Sequence, residues 1–189
     1  MGPEKFAPIL PIRNLGNALG VLLMITAGTL LLWAVLPDIG FLPIVLSLLS
    51  AIVTIVWLYR ARLNVEGLRH QRRAKGWAIG GWFCPVVNLW FPFQIVEDIA
   101  AVDKPLREAH AGAPIRYAWW LCWLLSWFAA FSFTRTHTVY ADGGFEDSVR
   151  FSVLFGGNIV SRLFGAAAAI LLAIIVREIS ARQEQRSRA

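Results

Sequence analysis

The chain has 189 residues, of which 57% are hydrophobic and 16% charged, and its formal net charge is +6. Ordinary globular chains carry about 25% charged residues, and here the shortfall is gathered into long uncharged runs, the composition of a membrane protein. This excludes a secreted disulfide scaffold, a disordered chain and a typical soluble enzyme; the positive charge does not require nucleic acid, because cytoplasmic loops of membrane proteins are basic too.

Residues 1–14 carry Pro3, Pro8 and Pro11 and read as an extended cytoplasmic tail. Asn14 to Pro37 is free of charge and predicts a first span over about 15–36. At ~1.5 Å per residue it crosses a ~30 Å hydrocarbon core with some tilt. It is too long for a signal-peptide core, and no A-x-A-like site follows. Pro37-Asp38-Ile39-Gly40 is the turn to a second span over 41–59, an antiparallel neighbour of the first. Pro43 falls in the first turn of that helix, where a missing N–H is tolerated. A third span is expected over 117–134 and a fourth over 156–176. Arg162 interrupts the fourth and is expected to reach the outer interface or to pair with Asp142, Glu146 or Asp147 of an acidic external loop. Residues 177–189 read as a charged cytoplasmic extension, so the membrane domain is 15–176.

Gly76 to Val96 is uncharged but holds Gly76, Gly80, Gly81, Pro85 and Pro92. It is read as a full span, a re-entrant hairpin or a surface helix, and the surface helix is disfavoured because the segment has no charged face. The distribution of Lys and Arg separates the other two. Four spans put fifteen of them inside and two outside, leaving Arg162 apart, whereas five spans put ten inside and seven outside. The expected fold is therefore all-α: a polytopic bundle of four transmembrane helices plus a Pro-broken re-entrant segment over 76–96, with both termini cytoplasmic. Five spans is the alternative.

The densest chemistry lies on the cytoplasmic side. Arg60, Arg62 and Asn64 follow the second span, then Arg69, Arg72, Arg73 and Lys75. Such a cluster orients the protein and attracts anionic headgroups at about 1 kcal/mol per charge. Trp77, Trp82, Pro85, Asn88 and Pro92 mark the broken segment, where prolines free carbonyls and Asn88 can donate and accept across the break. Arg60, Arg62 or Asn64 is expected to hydrogen-bond the stretch from Pro85 to Asn88. Trp120, Trp123 and Trp127 form one stripe, expected to pack on the broken segment, with an aromatic ligand cage as the alternative. Gly16 and Gly20, and Gly165, Ala169 and Ala173, are spaced for close helix packing. Cys84 and Cys122 read as free buried thiols, and Glu97 and Asp98 as partners of the basic linker. No metal-ligand spacing, nucleophile elbow, phosphate loop or dinucleotide fingerprint is present, so no catalytic residue, metal or cofactor is assigned.

The order WLYRARLN, a basic linker, GWAIGGWFCPVVNLWFPFQIVEDI, two further apolar helices and a charged end resembles domain of unknown function 4328, small and mostly actinobacterial membrane proteins. The resemblance runs over roughly 40–185. It rests on Arg60, Arg62 and Asn64 and on Trp77, Trp82, Phe83, Pro85, Asn88 and Pro92. It implies a multi-helix membrane protein and no activity. By elimination the expected function is a non-enzymatic component of the bacterial inner membrane. It would bind an anionic lipid, a membrane-protein partner or a second copy of itself at its cytoplasmic face, and not nucleic acid. A small transporter or channel subunit, and an enzyme acting on a lipid, are the alternatives.

Overall fold

Proline and glycine set the helix limits. The computed structural model describes residues 10–36, 41–68, 71–102, 113–139, 145–153 and 158–188. Helix α1 is Arg13–Val35, and it stops at Leu36 because Pro37 disfavours helical geometry in the residue before it. Helix α2 is Leu42–Leu63, with Pro43 in its first turn as expected. It ends through turns at Asn64 and at Gly67, whose φ of 79° is a left-handed conformation that glycine adopts without steric cost. After α3 (Trp77–Gly80), α4 (Phe91–Ala101) and α5 (Ala113–Phe128) comes the long α6, Ile159–Arg188. Among the described residues α1, α2 and α6 are long and apolar enough to cross a membrane. Their outward faces expose Val21, Ile25, Leu32, Leu48, Ile52 and Ile174. An apolar surface of that extent fits a lipid environment and not bulk water.

Helices α1 and α6 form the central pair, α2 flanks α1, and α5 flanks α6. The small-residue stripes make the central pair possible. An added Cβ on Gly16 would lie 2.2 Å from Ser180 Oγ and 2.9 Å from Ser180 Cβ. Only a residue without a Cβ lets the two backbones approach this closely. Ser180 in turn accepts a 3.0 Å hydrogen bond from the buried Trp57 Nε1, so α2 is tied to the same point. Ala166, Ala169 and Ala173 are buried in the α6 core face.

The far end of the bundle is tied separately. Ser161 Oγ donates to Ser126 O at 2.7 Å, and Asn158 Nδ2 to Ala129 O at 2.8 Å, so α5 ends level with the start of α6. Arg162 donates to Trp33 O at 2.5 Å and lies 4.1 Å over the Trp33 ring, two residues from the end of α1. Thus it sits near a helix end and is engaged there by a backbone carbonyl and a π face. Asp142 and the side chains of Glu146 and Asp147 lie outside the described residues, as do tail residues 1–9 and the Pro37 to Gly40 turn.

The sequence reading differs from the structure in one stretch. The apolar run 117–134 is not one helix: α5 closes at Phe128, and Phe131–Val139 (β1) pairs antiparallel with Phe145–Val153 (β2), from Phe131 opposite Val153 to Val139 opposite Phe145. The all-helical expectation did not include this hairpin. Its cause is local: from Phe131 the chain turns to Thr134, Thr136, Thr138 and Val139, β-branched residues that suit a strand.

The close approach at Gly16 yields a stability test. Gly16→Ala should destabilise the protein by about 1–3 kcal/mol, because Ser180 is short and cannot swing clear of the new methyl. In a Ser180→Gly background the added cost should largely vanish. Thermal unfolding of the four variants in detergent measures both; a full cost in both backgrounds would remove the α1–α6 contact as its cause.

Candidate functional site

The C-terminal end of α2, the C-terminal part of α6 and the basic linker share one end of the bundle. Asn64 is buried there. Its Oδ1 accepts from Leu10 N at 2.7 Å, and its Nδ2 donates to Leu10 O at 2.9 Å and to Gln183 Oε1 at 2.8 Å. Gln183, only 2% exposed, donates onward to Ala61 O at 3.1 Å. Arg62 is buried as well, donating to Glu66 Oε2 at 2.7 Å and to Arg73 O at 3.1 Å. Arg60 is exposed at the end of α2.

The expected bond between these residues and the broken segment is not made. Asn64 is fully engaged elsewhere, and the deficit at the break is met locally. Trp82, Phe83, Leu89 and Trp90 donate backbone N–H groups three residues back, and Asn88 N donates to Cys84 O at 2.8 Å. Short turns and a 3-10 turn at Val87–Leu89 thereby replace the lost helical bonds. Trp120 Nε1 donates to Leu89 O at 3.0 Å, an indole from α5 in the role assigned to Arg or Asn. Pro92 is no breaker at all; it lies in the first turn of α4 and is buried. Pro85 is exposed in the turn, and Asn88 is buried with its Oδ1 unpartnered.

What links the two motifs is the linker. Arg72 donates to Asp98 through both N and Nε, at 2.9 and 2.6 Å, closing the two ends of the broken segment against each other. Arg73 donates to Gln94 Oε1 at 3.0 Å and lies 4.0 Å over the Phe91 ring, while Arg62 holds the Arg73 carbonyl. Arg116 of α5, 2% exposed, pairs with Glu97. Asp98 is thus a partner of the linker as expected, and Glu97 is a partner of α5. From this closed base the segment reaches Trp123, whose ring meets Trp82 edge-on at 5.9 Å. Trp120 stacks on Trp123 at 4.6 Å, and Trp77 meets Phe91 edge-on at 4.9 Å. The stripe on α5 therefore packs on the broken segment.

Two features of this end face outward. Among the described residues the side chains of Arg60, Lys75 and Arg177 are exposed and have no partner. The broken segment exposes Phe83 (74%), Val86, Trp77 and Trp90. Exposed cations and exposed aromatic rings are both suited to a surface where anionic headgroups meet acyl chains.

Sequence reasoning missed Gln183, Ser180, Trp57, Gln94 and the Leu10 backbone. A signal existed for two of them. Ala169, Ala173, Val176, Ser180 and Gln183 follow alternating steps of four and three, one helical face running on past the last apolar residue into the charged tail. For Leu10 there was none, because a tail's backbone groups carry no side-chain signature.

A family model, the domain of unknown function DUF4328, matches residues 34–181. The chain belongs to that family. No curated protein and no solved structure matches it.

The buried amide cluster generates a coupling test. Asn64→Ala strands Leu10 N–H and C=O and Gln183 Oε1 together, and should cost about 2–4 kcal/mol. Asn64→Ala and Gln183→Ala combined should lose at least ~1 kcal/mol less than the sum, whereas Asn64→Ala and Asn88→Ala should add. The readout is unfolding in detergent. Coupling to Asn88 and not to Gln183 would reverse the assignment.

Proposed function

We propose that this family member is a multi-pass protein of the bacterial inner membrane that binds anionic lipid headgroups, without catalysis, at its cytoplasmic face through Arg60, Lys75 and Arg177. The observation that carries the reading is that these three cations are exposed and unpartnered, while the broken segment exposes Trp77, Phe83 and Trp90. The other linker cations, Arg72 and Arg73, are engaged within the protein and do not contribute a free charge.

Four crossings and a re-entrant 76–96 complete the reading. Helix α5 has 16 residues, about 24 Å, which local bilayer thinning and the turn at Ala129 and Ala130 accommodate. Its C-terminal end is level with the start of α6. The Arg72–Asp98 closure brings the ends of the broken segment to one side, which supports a hairpin over a fifth crossing. The fifteen-to-two distribution of Lys and Arg supports a cytoplasmic location for that side. The transporter reading is weaker, since its one intramembrane charge, Arg162, is engaged by Trp33.

Two experiments test this. In whole cells, Gly143→Cys should react with an impermeant thiol reagent and Ala111→Cys should not; external labelling at position 111 would establish five crossings. In nanodiscs of mixed phosphatidylglycerol and phosphatidylcholine, the protein should enrich phosphatidylglycerol around itself. At about 1 kcal/mol per charge, R60Q/K75Q/R177Q should reduce that enrichment by roughly two orders of magnitude at low salt. No enrichment by the unmodified chain would sink the lipid reading.

A further inference from the structure

A half-open cavity of about 210 Å³ lies midway along the bundle. Its lining residues fall within 23–30 of α1, 47–54 of α2, 119–126 of α5 and 165–172 of α6, and Trp82 of the broken segment completes the wall. Each of those four ranges rises about 10 Å along its helix. The cavity is thus a slot that runs with the helices, and no charged residue lines it.

The slot opens sideways. Helices α1 and α6 pack closely behind it, α2 on α1 and α5 on α6, while α2 and α5 are not packed on each other. On the α2 rim Ala51 is exposed, and so are Leu48, one turn before it, and Ile52, the residue after it. On the α5 rim Trp123 and Ser126 are half-buried. Ala51 lies near the middle of α2, which in a spanning helix is the depth of acyl chains and not of headgroups. The mouth is therefore continuous with the lipid-facing surface of the bundle.

The wall calls for hydrocarbon. Thr26 Oγ1 contacts Leu22 O and Ser50 Oγ at 2.9 and 2.8 Å, Ser47 Oγ donates to Pro43 O, and Ser126 Oγ to Trp123 O. The Thr54 hydroxyl can turn to the carbonyl four residues back in its own helix. Water needs two to four polar partners and does not find them here. An apolar cavity of about 150 Å³ stays dry yet takes up benzene, so this one has room for hydrocarbon. We propose that the slot binds one acyl chain of a membrane phospholipid, which enters between α2 and α5 and lies along the helices against Trp82 and Trp123. The shape commits the site to a chain: the slot runs parallel to the helices, as acyl chains do, and its mouth faces the layer that supplies them. The inference rests on the membrane placement proposed above, but not on the headgroup site at the basic end.

The test uses phosphatidylcholine carrying a diazirine near the tip of one acyl chain, so no anionic headgroup is involved. The full chain is reconstituted with it in liposomes and irradiated, and the adducts are mapped by peptide mass spectrometry. Outward residues such as Leu48 and Ile52 should be labelled by bulk lipid. Trp119 and Ala168, buried on the slot wall, should be labelled as well. Ala51→Trp places a bulky ring at the mouth and should abolish the labelling of Trp119 and Ala168 while the outward adducts persist. Ile52→Trp, equally bulky but outside the slot lining, should leave the interior adducts in place. Unfolding temperatures in detergent check that both variants fold, and the map of the unmodified chain stands without them. Adducts confined to the outward faces of that chain would overturn the site. Interior labelling that survives in folded Ala51→Trp would overturn the entry between α2 and α5. Interior labelling displaced by excess farnesol and not by excess oleic acid would give the slot to a prenyl chain and overturn the acyl assignment.

Discussion

A buried amide cannot be left alone, and the bundle is arranged around one that is not. Asn64 uses its Oδ1 and Nδ2 to bind both backbone groups of Leu10, as a neighbouring strand would, and shares Nδ2 with Gln183, which reaches back to Ala61 O. Three chain segments thereby meet at one point: the residues before α1, the end of α2 and the tail end of α6. Each bond is worth only about 1 kcal/mol net, but each group left unpaired would cost about 1–3 kcal/mol, so the set persists or fails together. Once the start of α1 and the tail end of α6 are fixed there, the helices run in contact. Gly16 opposite Ser180 is the sequence's answer to that constraint, and Trp57 closes it from α2.

The same junction explains why space remains elsewhere. With α1 and α6 pinned together, α2 and α5 lie on either side of the pair. The short, broken element packs against both outer helices. Its turns bond mostly to themselves, so the stretch asks little of its neighbours: one indole, Trp120, on the Leu89 carbonyl. Prolines are affordable in such a place because no continuous helical ladder is being interrupted.

The sequence disclosed what depends on composition and local rules. The uncharged runs marked α1, α2 and α6, Pro37 and Pro43 marked their limits, and Pro85 marked the break. It misplaced the end of α5 because hydropathy cannot tell an apolar helix from a strand that begins with Phe131 and Phe133; the run of threonines that follows could have done so. It singled out Asn64 correctly as a residue needing a specific partner, then chose the partner by proximity of motif. The true partners, Leu10 and Gln183, are 54 and 119 residues distant, and no local pattern encodes such a pairing. Ser180 and Gln183 were hidden by the charged residues around them, although their helical face continues the apolar one.

Charge counting and hydrogen bonding describe the basic linker at different stages of the protein's life. Lys and Arg near a span bias its orientation during insertion, when no tertiary partner yet exists. After folding, Arg72 and Arg116 bind Asp98 and Glu97, and Arg73 lies on Phe91. The two roles do not compete, because the first needs only charge and the second needs the guanidinium fork. Replacing those arginines by lysine would preserve the first and weaken the second. Arginine at 72 and 73 of the linker and at 116 of α5, with the linker's lone described lysine at 75 exposed and unpartnered, follows that division.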